Sequence, residues 1–210
     1  MTVQLDREQE TINTFADYCK TNGIEIIREY DPSENKLENT DSDFDIRFPS
    51  GEVKSVSLKS SGGVMANLNA GAGSRSVSKW MTPEEVALVK QAEKEMQARR
   101  RSVSSQYSRW EEVPNSSEQK YFVIEPLYEA WFSVLSSNID AVKRLSSLLA
   151  GRKSDLLFVE NKFVPYTAFS GTEVCKVNSK SILVGNYELR FKTEGGKTSS
   201  SIKVNGSFKK

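Results

Sequence analysis

Phe44, Ile46 and Phe48 alternate with Asp43, Asp45 and Arg47, and a short way on Val56 and Leu58 alternate with Ser55, Ser57 and Lys59. An alternation of period two is the pattern of a half-buried strand. Between the two runs stand Pro49, Ser50, Gly51 and Glu52. Pro presets φ and Gly tolerates a positive φ, so this is turn chemistry. The stretch predicts a β-hairpin. Folded about Ser50 and Gly51, it sets Asp45 opposite Ser57 and Asp43 opposite Lys59, with facing Cβ atoms about 5 Å apart. One face is then Phe44, Ile46, Phe48, Val56 and Leu58, which is core. The other carries two carboxylates, a hydroxyl and an ammonium.

That second face has a chemistry of its own. Carboxylates bind Mg²⁺ through hard oxygens, one or two per ion, and water or phosphate completes the octahedron. A neighbouring Lys can steady a phosphate oxygen or an attacking water. Metal-assisted hydrolysis of a phosphodiester needs these parts.

Asp45 on one strand, followed by Ser57, Leu58 and Lys59 at the end of the next, resembles the core of the PD-(D/E)xK nucleases, the superfamily of most type II restriction endonucleases. The resemblance covers roughly residues 5–100. It departs from the pattern in two places. Ser42 and Phe44, not Pro, precede the candidate Asp residues, and Ser57 stands where the middle acid belongs. Some restriction enzymes of this kind carry Ser-x-Lys and recruit a carboxylate from a neighbouring helix. The resemblance therefore implies a Mg²⁺- or Mn²⁺-dependent endonuclease of restriction or phage type, acting on double-stranded DNA and compatible with a homodimer. Asp45 would be the central metal ligand and Asp43 a second ligand. Lys59 would orient the water, and Ser57 would hydrogen-bond a ligand or a metal-bound water. Glu8, Glu84 or Glu85 would supply the missing acid. The literal triplet Glu52, Val53, Lys54 is set aside on geometry: it sits on the turn, and Lys54 shares parity with Val56 and Leu58.

Composition narrows the chemistry further. The 210 residues contain no histidine. Ser-His-Asp and Cys-His hydrolases, His-dependent zinc sites and His-based nucleases are excluded, which leaves carboxylates, Lys, Tyr, Ser or an oxygen-held metal. Cys19 and Cys175 are too few for a disulfide framework and too far apart in sequence for a zinc site. Net charge is +1, so nucleic-acid binding must use local patches. No run approaches a membrane span, and the N-terminus lacks the basic start and apolar stretch of a leader. A reducing cytoplasm is the expected location.

Along the chain, Ile12, Phe15, Ala16 and Cys19 give a helical stripe over 6–21, with Gly23 as its stop. Glu8 lies one turn before Ile12. Residues 24–30 read as a strand and 31–42 as a polar loop. The small, Gly-rich run 60–78 has two readings: a surface loop, or a phosphate-contacting loop whose backbone N–H groups approach an anion. It contains Arg75, and Lys79 follows it; no helix is expected to open within it. Thr82, Pro83 and Glu85 form a helix start with a capping box, and an apolar stripe runs from there to Arg101. Arg99, Arg100 and Arg101 either complement the helix C-terminus or meet phosphate. Residues 119–137 and 138–150 read as core helices, with Pro126 starting or kinking the first and Gly151 stopping the second.

The last third turns β-rich, with short strand signals at 156–159, 163–166, 182–184, 187–191 and 200–204, and Gly195-Gly196 punctuating a hairpin. Its cations Arg190, Lys192, Lys197 and Lys203 form either a phosphate-binding ribbon or a solubilising edge. The expected architecture is α+β: a mixed sheet with the 43–60 hairpin central, flanked by helices 6–21 and 82–101, with a basic, β-rich C-terminal extension. The expected domains are 1–151, the nuclease-like core with a helical elaboration, and 152–210. The rival to the nuclease is a non-catalytic nucleic-acid-binding or assembly protein in which the basic ribbon does the work.

Overall fold

In the computed structural model the alternating stretch forms β2 (Phe44–Arg47) and β3 (Val53–Leu58). The structure describes residues 2–31, 42–59, 66–150, 154–159, 161–165 and 170–208. The expected two faces are present: Phe44, Ile46 and Val56 are buried, with Phe48 and Leu58 packed against them. The register differs from the expected one by two residues. Asp45 faces Ser55 and Phe44 faces Val56, because the loop between the strands is short. Phe48 N–H donates to Glu52 O and Gly51 N–H to Phe48 O, and Gly51 takes φ of 87°. Three residues, Pro49 to Gly51, thus make the turn, with Gly in the left-handed position such loops favour. A slip of two keeps every side chain on its face.

The chain divides into two compact units: Met1–Gly63 with Leu149–Ala168, and Val64–Leu148 with Phe169–Lys210. The first holds α1 (Thr2–Thr21), β1 (Glu25–Glu29), β2, β3, β5 (Leu156–Val159) and β6 (Lys162–Pro165), with β4 (Ala66–Asn69) falling to the second unit. The sheet runs β1-β2-β3-β5-β6. It is mixed: β3 and β5 are parallel, and the other neighbours antiparallel. The hairpin is central, as expected. Helix α1 covers its apolar face through the predicted stripe of Ile12, Phe15 and Cys19. The Phe15 ring lies 4.9 Å from that of Phe44 and 5.1 Å from that of Phe158. Burial pushes the Cys19 thiol up to about 11.

The second unit has a sheet of order β4-β10-β9-β8-β7, wholly antiparallel. Its strands are β7 (Val174–Asn178), β8 (Ser181–Val184), β9 (Tyr187–Thr193), β10 (Ile202–Phe208) and β4. Four helices accompany it: α2 (Arg75–Ser78), α3 (Pro83–Ser104), α4 (Ser116–Ser137) and α5 (Ile139–Ala150), the last reaching the boundary with the first unit. Tyr128 and Trp131 of α4 meet Phe191 of β9 edge to face, each at 5.6 Å. The Trp131 indole donates to Ala70 O. Thr82 and Glu85 form the predicted capping box of α3.

The protein is therefore α+β, but its parts are distributed differently from the expectation. Residues 156–165, expected in a C-terminal domain, complete the first sheet, because β5 supplies the parallel partner of β3. The other C-terminal strands are no separate extension, since β10 pairs with β4. The helix expected at 82–101 belongs to the second unit. Pro126 lies buried within α4 and neither starts it nor ends it. The run 60–78 contains a strand and a short helix: Ser74 caps α2 by accepting from Val77 N–H, and its hydroxyl donates to Asn69 O. Residues 60–65 of that run lie outside the described residues.

Candidate active site on the first sheet

Alternation along β2 and β3 puts Asp43, Asp45, Ser55 and Ser57 on the face of the sheet opposite α1. Lys59 extends the same alternation, its N–H donating to Phe158 O at 3.0 Å so that the β3–β5 ladder continues through it. Asp43 and Asp45 are half-buried and Ser57 is buried. The shift of register decides which acid meets which group. Asp43, rather than Asp45, meets Ser57. Its Oδ2 accepts from Ser57 Oγ at 3.1 Å and from Leu58 N–H at 2.6 Å. Lys59 is accordingly one step along the strand from the partner of Asp43 and two from that of Asp45.

Asp45 has other company. The Tyr30 hydroxyl donates to its Oδ2 at 2.9 Å. Tyr30 N–H donates to Asp43 O, which extends the ladder beyond β1. Arg28 faces Asp45 in register, beyond an irregularity at Ile27, and its guanidinium lies 4.1 Å from the centre of the Tyr30 ring. Sequence reading missed both residues. Alternation along 24–30 was their only signal, and the irregularity breaks it.

A third acid enters from the parallel strand. Asp155 Oδ2 accepts from Ser55 N–H at 2.9 Å and from Ser55 Oγ at 3.0 Å, while Asp155 N–H donates to Ser55 Oγ. One row across the sheet thus reads Asp45, Ser55, Asp155. No local pattern could have found Asp155, which is 100 residues from Ser55. Among the described residues no three His, Cys, Asp or Glu side chains converge where an ion could be held.

Of the helical acids expected to complete the site, Glu84 and Glu85 belong to the second unit and Glu8 to the first. Glu85, in the second unit, is fully engaged. It accepts from Thr82 N–H at 2.8 Å, from Arg144 through both oxygens at 2.7 Å, and from Asn138. Glu84 is exposed beside it, and hydrogen bonds from its own N–H and the Thr82 hydroxyl hold its carboxyl below the ordinary value. Glu8 lies in α1, but its side chain is outside the described residues. The Glu52–Lys54 pair closes on itself at 2.9 Å.

The expected cations lie in the second unit. Arg190 and Lys192 are exposed on one face of β9, and Lys203 of β10 faces Lys192 in register. Lys203 Nζ is 3.6 Å from Glu194. The Ser201 hydroxyl, with Lys203 and Lys192, holds the Glu194 carboxyl below its usual range. Lys197 is exposed in the β9–β10 turn; Arg75 begins α2 and Lys79 follows it, both exposed. Arg99 does not serve as a free cation: it binds Glu95 and Glu125 at 2.6 Å and covers the Phe122 ring. No helix of the described residues is long and apolar enough to cross a membrane.

No family model, curated protein or solved structure matches the chain, so the site is read from its own residues.

Proposed function

We propose that the protein is a metal-dependent endonuclease acting on double-stranded DNA, with its centre on the polar face of β2 and β3. The observation that carries the reading is the sharing of one face by Asp43, Asp45 and, by alternation, Lys59, in the middle of a mixed sheet. The donor set suits Mg²⁺ or Mn²⁺. Mg²⁺ commonly takes one or two carboxylates and leaves the remaining positions to water and phosphate. Asp45 and Asp43 would hold the ion. When bound, it polarises a phosphoryl oxygen and acidifies a water.

The chain's own groups have distinct parts in this reading. Tyr30, through its hydroxyl, orients Asp45. Ser57 and the Leu58 N–H fix one oxygen of Asp43. The Lys59 ammonium steadies the attacking water or the charge that develops on the phosphate. Asp155, held by Ser55, takes over from Glu84 and Glu85 as the acid nearest in register to this face.

The second reading, a non-catalytic nucleic-acid-binding or assembly protein, draws on a specific observation. Ser57 occupies the position of an acid and spends its hydroxyl on Asp43. Nicking of supercoiled plasmid in millimolar Mg²⁺ or Mn²⁺ separates the two. The nuclease reading expects cleavage by wild type and its loss in Asp45→Asn and Lys59→Ala, with DNA binding retained. A wild type that leaves the plasmid intact, or an Asp45→Asn that cuts as fast, leaves the binding protein.

A further inference from the structure

The near-neutral charge of the chain conceals a division. The first unit carries 10 Lys and Arg against 15 Asp and Glu, and the second 19 against 13. We propose that the second unit holds the backbone of duplex DNA on a composite basic surface, built from the β9–β10 hairpin and the connection between α3 and α4. The inference builds on the nucleic-acid reading above and names which surface meets the partner.

Two elements distant in sequence make this surface. The α3–α4 connection is fastened to the hairpin turn by a set of hydrogen bonds. Thr198 Oγ1 donates to Tyr107 O at 2.7 Å, Thr198 N–H to Ser108 O, and Trp110 N–H to Gly196 O at 2.8 Å. Arg100, near the end of α3, donates to Ser200 O. The fastening brings the arginine run of α3 to the lysines of the hairpin.

It also sets like charges against each other. Lys192 faces Lys203 across β9 and β10, and Arg109 bridges Lys197 at the turn. Like charges directly opposite on paired strands destabilise them. A surface that keeps one such pair in the hairpin and another between the hairpin turn and the connection has its repulsion relieved by a bound polyanion. Local acids answer only part of it: Glu194 lies by Lys203, and Glu111 pairs with Arg109. Among the described residues no carboxylate lies within ion-pair distance of Arg101, Arg190, Lys192 or Lys197, and all four are exposed.

The character of the surface selects the partner. Among the residues whose side chains are described, Ile26, Ile27, Val53, Leu88, Phe122, Ile139 and Val177 are the exposed large apolar ones, and none lies on the hairpin or the connection. Nothing there would enter a bilayer. Trp110 is buried and Tyr107 half-buried, so among the described side chains of this surface no fully exposed ring is offered to an unpaired base, as single-strand binders require. Cations without apolar or aromatic companions suit the phosphates of a duplex.

The test is binding of a fluorescent 20-bp duplex by the full chain in Ca²⁺ or in chelator, at several salt concentrations, so that cleavage plays no part. Lys192→Glu, Lys197→Glu and Arg109→Glu should each weaken binding. Each should also lower the slope of log affinity against log salt by about one. Lys90→Glu on α3 and Lys20→Glu on α1, both exposed, should leave the slope unchanged. Lys192→Gln adds a readout that a damaged fold could not mimic: it removes the repulsion with Lys203, so it should raise the melting temperature while weakening DNA binding. Wild-type slopes in all three of these variants would overturn the proposal, as would equal capture by anionic phospholipid vesicles. Binding without plasmid nicking would sink the nuclease reading and leave this one standing. Nicking by a protein whose hairpin variants bind as wild type would do the reverse.

Discussion

Asp43 and Asp45 differ by two positions and share a face, yet they sit in different surroundings. Asp43 accepts from the Leu58 backbone N–H and from the hydroxyl of buried Ser57. Removing this half-buried acceptor takes away both bonds, and hydrogen bonds to charged groups contribute about 1.5–3 kcal/mol. Asp43→Ala should therefore lower stability in urea by about that amount. Asp45→Asn keeps an oxygen for the Tyr30 hydroxyl and should cost less than about 1 kcal/mol. Urea midpoints for the two variants check this. Equal midpoints would mean that the Asp43 bonds add nothing to the fold. The contrast bears on function, because a loss of activity in an Asp43 variant is confounded by stability and one in Asp45→Asn is not.

At the scale of elements, α3 and α4 are joined through Arg99, which reaches Glu125 and the Phe122 carbonyl. The Arg99 hydrogen bond pulls the Glu125 carboxyl below its ordinary value of 4.5. A carboxyl depressed in the folded state stabilises it above the unfolded value, and the contribution disappears as pH falls through the folded one. Wild type should thus exceed Glu125→Gln in stability at pH 7, by about 0.2–1 kcal/mol for so exposed a pair. The two should converge toward pH 3 in thermal or urea melts. A gap that is constant with pH would assign the effect to packing.

How much of these elements could be read in advance depends on how locally each is determined. The stripe Ile12, Phe15, Cys19 and the alternation of Phe44, Ile46, Val56 are set within a few residues, and both faces form as the sequence implies. Thr82 and Glu85 announce the start of α3 for the same reason. The register of the hairpin turned on where Gly51 takes its positive φ, a matter of one turn residue. Asp155 was beyond reach, because its place depends on a parallel pairing between strands separated by the whole first segment of the second unit. The contact of one Arg144 nitrogen with both oxygens of Glu85 was hidden likewise.

On the scale of the whole molecule, neither unit is a continuous piece of chain. Each is interrupted by the other, so the division at 151 and 152 that composition suggests would cut through both. The fragment 1–151 lacks β5, the parallel neighbour of β3, and lacks β10, the neighbour of β4. The fragment 152–210 lacks α4, whose Tyr128 and Trp131 cover Phe191. Neither should fold alone, and mixing the two should restore structure. Circular dichroism and a thermal melt of each fragment and of the mixture test this. A cooperative melt from 1–151 by itself would show that the first sheet does not need β5.

The same interleaving sets a timetable for synthesis. Val56 finds Leu156, and Leu68 finds Val204, only when most of the chain has left the ribosome. Until then the growing polypeptide carries β3 with one edge unpaired and β4 without its only partner strand. Pairings between distant residues form slowly, and open strand edges invite association with other chains. Arrest-peptide tension on nascent chains should therefore stay low until β5 emerges, rise once there, and rise again only as β10 clears the exit tunnel.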